Sequence, residues 1–190
     1  MSFPAVFFDR DGTLNYDPGY LGNPDQVELY PGVPEGILKL KKAGLKIIVV
    51  SNQSGIARGL ISRENVEAVN NRINQLLQVN NTSVDAFYFC PFHPEFNSLK
   101  ESECRKPSPK MIFEAAKDYD LNLKRSYFAG DMDVDIECGI NAGLKTILIK
   151  STITEDKISC LHNQGKFPTF EAENFSEACN FIIQDFLGEN

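Results

Sequence analysis

A short apolar run that ends in two acids is the feature of this sequence that most constrains its fold. Ala5-Val6-Phe7-Phe8 has the composition of a buried strand, and Asp9-Arg10-Asp11-Gly12-Thr13 follows it directly. Two carboxylates at the end of a buried strand are costly unless a cation binds them or they have a chemical task. The alternative is an ordinary polar turn in which one acid caps the strand. The rest of the chain decides between these two interpretations.

Further apolar runs alternate along the chain with segments that have the spacing of helices. The strand-like runs are Lys46–Val50, Ala86–Phe89, Ser126–Ala129 and Thr146–Ile149, and the helix-like segments are Pro34–Ala43, one from Ser62 to Leu77, one capped by Ser108, one ending at Asn141, and Ser176–Leu187. The run 167–170 contains a proline, which is typical of a short edge strand. This alternation predicts an α/β fold, with a Rossmann-like, mostly parallel sheet and helices on both faces. At 190 residues, we expect one domain spanning 1–190.

Polar residues follow several of the predicted strands at the point where each strand ends. Asp9 follows the first strand, Ser51 the second and Asp131 the fourth, whereas Lys106 precedes the helix that leads into the fourth strand. In open parallel sheets, ligands bind beyond the carboxyl ends of the strands. We therefore expect several acids, a hydroxyl and a lysine to meet at one edge of the sheet.

This combination of side chains fits phosphoryl transfer. Mg²⁺ prefers oxygen ligands and is commonly held by one or two carboxylates and a phosphate oxygen. A carboxylate can be the nucleophile and form an aspartyl phosphate, while a second carboxyl group protonates the leaving oxygen. A lysine and a serine hydroxyl can bind the phosphoryl oxygens. These residues thus predict a magnesium site for phosphoryl chemistry, and a catalytically silent binding module is the alternative from another functional class.

The chain also resembles the haloacid dehalogenase superfamily of phosphohydrolases. Asp9-Arg10-Asp11-Gly12-Thr13-Leu14 resembles the first motif of that superfamily, Val50-Ser51-Asn52 the second, Lys106 the third, and Gly130-Asp131 with Asp135 the fourth. The resemblance implies that Asp9 is the nucleophile and a metal ligand, and that Asp131 is a further metal ligand. Asp11 would be the general acid/base and would bind the metal through its backbone oxygen. Ser51 and Lys106 would bind the transferring phosphoryl group.

A narrower resemblance concerns the subfamily of D-glycero-D-manno-heptose 1,7-bisphosphate phosphatase and the histidinol-phosphate phosphatase domain. It rests on residues 52–59, NQSGIARG, and 104–109, CRKPSP. That subfamily has little or no cap domain, so the loops 15–30, 56–61 and 90–103 would line the pocket instead. Asn52, Arg58 and Arg105 would contact the rest of the substrate, although Arg58 as a simple surface charge is a rival interpretation.

The expected substrate is the heptose bisphosphate or a similar sugar phosphate, with histidinol phosphate as the alternative. A cationic amine in histidinol phosphate would favour an acidic wall, which Glu95, Glu101 and Glu103 could provide. Asp133 and Asp135 are expected to orient or cap rather than to bind metal, because helix N-termini favour acids. Met132 stands where relatives often carry a lysine or arginine, which bears on the choice of substrate.

The loop after the third strand departs from the subfamily pattern for structural zinc, C-x-H followed by C-x-C. Cys90 and Cys104 match, but Phe92 and Ser102 replace the expected histidine and cysteine. Structural zinc sites have four nitrogen or sulfur ligands. With Cys90 and Cys104, His93 would be at most the third ligand, so the pattern disfavours zinc. Five scattered cysteines fit reduced thiols better than a disulfide framework.

The net charge of −7 argues against a nucleic acid or an anionic membrane as the main partner. It leaves room for a small phosphorylated substrate, because a local cation can reverse the sign of the potential at a site. No apolar stretch is long enough to span a bilayer, and the first residues lack a signal-peptide pattern. We therefore expect a cytoplasmic monomer that acts on a small molecule.

Overall fold

Six parallel strands form one sheet in the computed structural model, which describes residues 2–150 and 153–188. The strands are β1 (Ala5–Phe8), β2 (Lys46–Asn52), β3 (Ala86–Cys90), β4 (Tyr127–Gly130), β5 (Lys145–Ile149) and β6 (Phe170–Ala172). Their spatial order is β3-β2-β1-β4-β5-β6, and all neighbouring strands pair in parallel. The predicted α/β architecture is confirmed.

Helices cover both faces of this sheet. They are α1 (Val33–Lys42), α2 (Arg63–Gln78), α3 (Lys110–Asp118), α4 (Asp133–Asn141), α5 (Glu155–Asn163) and α6 (Phe175–Gly188). Alternate side chains of β1 explain the two layers, because Val6 and Phe8 pack with α1, α2 and α6, whereas Ala5 and Phe7 pack with α3 and α4. A smaller apolar cluster joins α5 to α4 and β5. Within the described ranges, no helix is both long and apolar enough to cross a membrane.

The central strand β1 positions the functional edge of the sheet. Its four residues are fully buried, and Phe7 lies in register between Ile48 of β2 and Phe128 of β4. The chain runs outward from β1 to β3 and then returns to β4 on the other side of β1. The strand order therefore reverses between β1 and β4, and a crevice forms beyond their carboxyl ends.

Some element boundaries differ from those that the sequence predicts. The helix expected to be capped by Ser108 begins at Lys110 and has Pro109 at its N-cap. The edge strand expected at 167–170 begins only at Phe170. Pro168 has no backbone N–H and cannot donate a hydrogen bond to β5, so pairing with β5 starts at the N–H of Thr169. Helix α5 has no counterpart among the predicted elements.

Candidate active site

The carboxyl ends of three strands bring the predicted site residues together. Asp9 follows β1, Ser51 lies near the end of β2, and Asp131 follows β4. Lys106 reaches the same place from the loop before α3. Asp9, Lys106 and Asp131 line a cavity of about 560 Å³ at the point between β1 and β4 where the strand order reverses. The convergence expected from the sequence is therefore present for these three residues, whereas Ser51 is buried and is not among the residues that line the cavity.

Three buried carboxylates face one another at the floor of this cavity. One oxygen from each of Asp9, Asp131 and Asp135 lies within 4.8 Å of the other two. The hydroxyl of Thr13 donates to Asp131 Oδ1 at 2.8 Å. Gly12 adjoins the group with a φ of +84°, and a Cβ at that position would clash with Asp131 Oδ2. Because three like charges at this spacing repel one another, the oxygen cluster suits a divalent cation.

Lys106 is the cation that lies within this carboxylate group. Its Nζ is 2.6 Å from Asp9 Oδ1 and 2.7 Å from Asp135 Oδ1, and it donates to the Val50 carbonyl at 3.0 Å. Burial lowers the pKa of Lys106, but the two carboxylates outweigh it and hold the pKa above its usual value. Burial raises the pKa of Asp9 to about 7, opposed by Lys106 and reinforced by Asp135 and Asp11.

Asn52 fixes the backbone that carries Lys106. Its Oδ1 accepts from the Lys106 N–H at 2.9 Å, and its Nδ2 donates to the Lys106 carbonyl at 3.2 Å. Asn52 lines the cavity, but both ends of its amide are engaged in this way. Its contact with substrate stays a prediction.

Donors from three residues hold the carboxylate of Asp11. Arg10 Nε lies 3.1 Å from both oxygens, and Arg10 Nη2 donates to Oδ2 at 2.9 Å. Asn15 Nδ2 donates to Oδ1 at 3.0 Å, and Gln53 Nε2 donates to Oδ2 at 2.8 Å. Burial raises the pKa of Asp11, but the charge of Arg10 and these hydrogen bonds outweigh it and hold the pKa below its usual value. The ligand-free site therefore favours the ionised form of Asp11.

Gln53 connects this carboxylate to the second motif. Ser51 is buried, and its Oγ accepts from Gln53 Nε2, which belongs to a residue of the cavity lining, at 3.3 Å. The backbone N–H of Gln53 donates to the Cys90 carbonyl at 2.8 Å, which extends the pairing of β2 with β3. The sequence did not single out Gln53 as a site residue. Two signals could have indicated it: its place two residues after Ser51, at a strand end, and its presence in the segment 52–59 that carries the narrower resemblance.

The two arginines expected to contact substrate lie in different places. Arg105 lines the cavity, and its Nη1 is buried with no hydrogen-bond partner among residues 2–150 and 153–188. Burial lowers the pKa of Arg105, and the charge of Arg58 adds to this shift. Arg58 lies outside the cavity lining, where its Nη2 donates to Glu95 Oε2 at 3.1 Å and its guanidinium lies 5.0 Å from the Phe96 ring.

Known relatives identify the family of this site. A family model described as HAD-hydrolase-like matches residues 103–178. The D-glycero-D-manno-heptose-1,7-bisphosphate 7-phosphatase of Chlorobaculum tepidum is 37% identical to this chain, over 96% of the chain and 95% of that protein. The D-glycero-beta-D-manno-heptose-1,7-bisphosphate 7-phosphatase of Escherichia coli K12 is 35% identical, over 93% of the chain and 87% of that protein. The chain belongs to the haloacid dehalogenase superfamily.

A solved member of the superfamily has nearly the same architecture. The D,D-heptose 1,7-bisphosphate phosphatase from B. bronchiseptica, crystallised with magnesium and phosphate, superposes with a TM-score of 0.83 at 28% identity. The match covers 96% of this chain and 99% of that chain, so the two chains share the α/β architecture over nearly their whole described length.

The loop after β3 differs from the expectation drawn from its cysteines. The sequence predicts reduced thiols, but the structure joins Cys90 to Cys104 in a disulfide, with the Cα atoms 5.4 Å apart. The pair meets because a short 3₁₀-helix, Glu101–Cys104, brings the end of the loop back to the end of β3. Phe92, which stands where the subfamily pattern has a histidine, is partly buried and packs against the apolar cluster that contains Cys90. The expectation that zinc is absent stays a prediction.

Two of the three loops expected to line the pocket do not reach it. The loop 15–30 supplies Asp17, Gly19, Tyr20 and Leu21 to the cavity wall. The loops 56–61 and 90–103 supply none of the lining residues and instead contact each other through Arg58 and Glu95. This superfamily member therefore covers its site mainly with the loop after β1.

Proposed function

We propose that this chain is a magnesium-dependent phosphomonoesterase that acts on D-glycero-D-manno-heptose 1,7-bisphosphate or a similar sugar phosphate through an aspartyl-phosphate intermediate. One observation carries the proposal: Asp9, Asp131 and Asp135 form a buried carboxylate cluster around Lys106 at the cavity floor. The chain shares 37% identity with a heptose bisphosphate phosphatase, which supports the assignment of substrate.

The first step transfers the phosphoryl group to Asp9. A carboxylate oxygen of Asp9 attacks phosphorus while the bond from phosphorus to the sugar oxygen breaks, and the leaving oxygen takes a proton from Asp11. Asp11 has to be protonated for this step, whereas the ligand-free site favours its ionised form. Lys106 Nζ, 2.6 Å from Asp9 Oδ1, is close enough to bind a phosphoryl oxygen that approaches this carboxylate. Ser51 offers its hydroxyl to the same group. The products are the free sugar hydroxyl and phosphorylated Asp9.

The second step restores the enzyme. Asp11, now ionised, accepts a proton from a water molecule, and the water oxygen attacks the phosphorus on Asp9. Inorganic phosphate leaves, and Asp9 is again a carboxylate. The donors from Arg10, Asn15 and Gln53 favour the ionised form of Asp11 that this step needs.

Magnesium would be held by the side chains of Asp9 and Asp131 and by the backbone oxygen of Asp11. When bound, it supplies positive charge that offsets the carboxylates and the phosphoryl oxygens. Asp135 has other partners, because it lies 2.7 Å from Lys106 Nζ and accepts from the Met132 N–H at 3.1 Å. Its role is to hold Lys106 in place.

The cavity suits a substrate with a second anionic group. Its volume of about 560 Å³ lies in the range of small-molecule sites. Arg105 offers a buried Nη1 whose partner the described residues do not supply, and Arg58 lies close enough to lower the pKa of Arg105. Arg105 is therefore assigned to the part of the substrate beyond the transferred group. Contacts of Asn52 and Arg58 with the substrate stay predictions, because the Asn52 amide is bound to the Lys106 backbone and Arg58 lies outside the cavity lining.

Histidinol phosphate is less well supported. Its cationic amine would favour the acidic wall expected from the loop after β3. Glu95 instead pairs with Arg58, Glu101 accepts from Ser98 Oγ at 2.7 Å, and Glu103 lies 3.6 Å from Lys110 Nζ. None of the three lines the described cavity.

Hydrolysis of p-nitrophenyl phosphate tests the chemistry. We expect activity with Mg²⁺, loss of that activity with EDTA, and loss in Asp9→Asn. Asp156→Asn, the same substitution on the exposed side of α5, should leave activity unchanged. An active Asp9→Asn enzyme, or activity indifferent to EDTA, refutes the mechanism, and a folded wild-type chain that hydrolyses no phosphate ester indicates the silent binding module.

Ranking substrates by kcat/KM tests the specificity. The heptose bisphosphate should exceed histidinol phosphate and mononucleotides, and Arg105→Met should raise KM for the bisphosphate more than for p-nitrophenyl phosphate. A higher kcat/KM for histidinol phosphate would reverse the assignment.

A further inference from the structure

A continuous set of buried polar side chains leads from α2 to the cavity wall. Arg10 is at its centre and is completely inaccessible to solvent. Arg10 Nη1 donates to Asn70 Oδ1 on α2 at 3.1 Å, and Nε and Nη2 donate to Asp11. A buried guanidinium is costly unless its donors are paired, so these contacts determine where Arg10 can sit. Asn70, itself buried, therefore fixes the face that Arg10 presents to Asp11.

Donors from three residues reach both oxygens of the Asp11 carboxylate. Oδ1 receives Arg10 Nε and Asn15 Nδ2, and Oδ2 receives Arg10 Nε, Arg10 Nη2 and Gln53 Nε2. The group cannot rotate without breaking at least one of these bonds, so its orientation toward the cavity is set before substrate arrives.

Arg10 and Gln53 approach this carboxylate from different elements of the fold. Arg10 is anchored on α2 through Asn70, whereas Gln53 extends from the end of β2 and also lies 3.3 Å from Ser51 Oγ. Gln53 thus fixes the proton-handling carboxylate relative to the hydroxyl assigned to the phosphoryl group. Proton transfer depends on such geometry, since a displacement of about 1 Å can cost a hundredfold in rate.

We propose that Arg10 and Gln53 are positioning residues that hold Asp11 for proton transfer to the leaving oxygen, and that Asn70 sets the orientation of Arg10. The inference rests on the proposed phosphatase function. Neither Arg10 nor Asn70 lines the cavity, so both act through Asp11 and not through contact with substrate.

The leaving group separates this role from a merely structural one. An alkyl oxygen, as in a sugar phosphate, needs a proton as it leaves, whereas 2,4-dinitrophenolate leaves without one. Misplacing Asp11 should therefore lower the rate at which phosphorylated Asp9 forms from an alkyl phosphate. The rate at which it forms from the dinitrophenyl ester should stay nearly unchanged. General acid–base catalysis contributes about 10²- to 10⁴-fold to a reaction rate. Displacing Asp11 should therefore lower the rate of alkyl phosphate cleavage by about tenfold to a hundredfold.

The experiment is a single-turnover measurement of ester cleavage with both substrates in Gln53→Met and Arg10→Lys. We expect a loss of about tenfold or more with the alkyl phosphate and a change within about twofold with the dinitrophenyl ester. Asp11→Asn gives the same pattern with a larger difference. Gln78→Met, on the exposed surface of α2, is the matched control and should change neither rate. Equal losses with both substrates, or no loss with either, overturn the proposal.

Asn70 gives a second test that remains valid if Arg10→Lys does not fold. Asn70→Asp keeps an acceptor oxygen for Arg10, and Asn70→Leu removes it. The alkyl-specific loss should appear in Asn70→Leu and be much smaller in Asn70→Asp. Failure of the proposed function looks different, because the wild-type chain would then cleave neither ester or Asp9→Asn would cleave both.

Discussion

At the scale of single residues, Gly12 is a position where the site has no room for a side chain. Its φ of +84° is left-handed, and its missing Cβ makes room for Asp131 Oδ2. We expect Gly12→Ala to displace Asp131, weaken magnesium binding and lower kcat by about a hundredfold. Isothermal titration with Mg²⁺ and steady-state kinetics measure the two effects.

Gly44→Ala is the matched control for that substitution. Gly44 has a φ of +94°, and its Cβ position has no atom of the described chain within 4 Å beyond its neighbours. Both variants should lose roughly 1 to 2 kcal/mol of unfolding free energy from the left-handed backbone. Only Gly12→Ala should lose activity, and equal kinetics in the two variants would show that Asp131 tolerates the methyl group.

The sequence predicts the residues of the site that carry motifs and misses those that support them. Asp9, Ser51 and Asp131 follow apolar runs, so the rule for parallel strands places them at one edge. Asn70 and Gln53 have partners 60 and 42 residues away in the chain, and only the packing of α2 and β2 brings those partners close. A lone buried asparagine on a helix gives no local signal of such a role.

At the scale of elements, the disulfide between Cys90 and Cys104 closes the loop before Arg105 and Lys106. Closing a loop of 14 residues restricts the unfolded chain and contributes about 3 kcal/mol to stability. We expect dithiothreitol to lower the unfolding free energy of the wild-type protein by about this amount. Dithiothreitol should not affect a variant in which both cysteines are replaced by serine.

Counting thiols verifies that this disulfide forms in solution. The structure leaves Cys138, Cys160 and Cys179 as free thiols. Alkylation after unfolding without reductant should therefore label three of the five cysteines, and labelling after reduction should reach all five. Five labelled cysteines in the unreduced protein would show that the reduced state expected from the sequence was right.

An acid anchors the last helix to the sheet. Asp185 of α6 accepts from the Tyr127 hydroxyl at 2.6 Å and lies 2.6 Å from Lys145 Nζ. Burial raises the pKa of Asp185, but these two hydrogen bonds and the lysine charge outweigh it, so the pKa is lowered. A carboxylate whose pKa is lowered by folding contributes its full stabilisation at pH values above its pKa in the unfolded chain, about 4. That stabilisation is lost as the pH falls through the pKa of the folded state.

Asp185→Asn tests this pH dependence. Because the side chain is partly exposed, we expect the variant to lose only about 1 kcal/mol of unfolding free energy at neutral pH. The difference from wild type should shrink as the pH is lowered from about 5 to about 3. Urea unfolding at several pH values measures it, with Asp156→Asn as the control. A difference that stays constant over this range would rule out the carboxylate charge as its cause.

The secondary-structure elements that the sequence predicts are those whose buried residues form a recognisable apolar pattern along the chain. The strands β1, β2, β4 and β5 are continuous apolar runs because helices cover both of their faces. Helix α5 escaped prediction because it buries only Ile158 and Leu161, and the rest of its surface is polar. The disulfide also escaped prediction, since only the turn of the 3₁₀-helix brings the two cysteines together.

At the scale of the whole molecule, the net charge is −7, and three of the acidic side chains are buried together at the cavity floor. They are Asp9, Asp131 and Asp135, and Lys106 pairs with Asp9 and Asp135. The unfolded chain keeps these carboxylates apart in water and has no comparable site for a divalent cation. Magnesium should therefore bind the native state alone and shift the folding equilibrium toward it.

Thermal unfolding with and without Mg²⁺ measures this coupling. At a concentration of about 100 Kd, binding contributes about 2.7 kcal/mol, which corresponds to a rise in Tm of roughly 5 to 10 °C for a chain of this size. Asp131→Asn should abolish most of the rise, whereas Asp156→Asn should retain it. Sodium chloride at equal ionic strength controls for screening of the net charge. If sodium chloride raises the Tm as much as magnesium does, the stabilisation comes from screening and not from a cation at the carboxylate cluster.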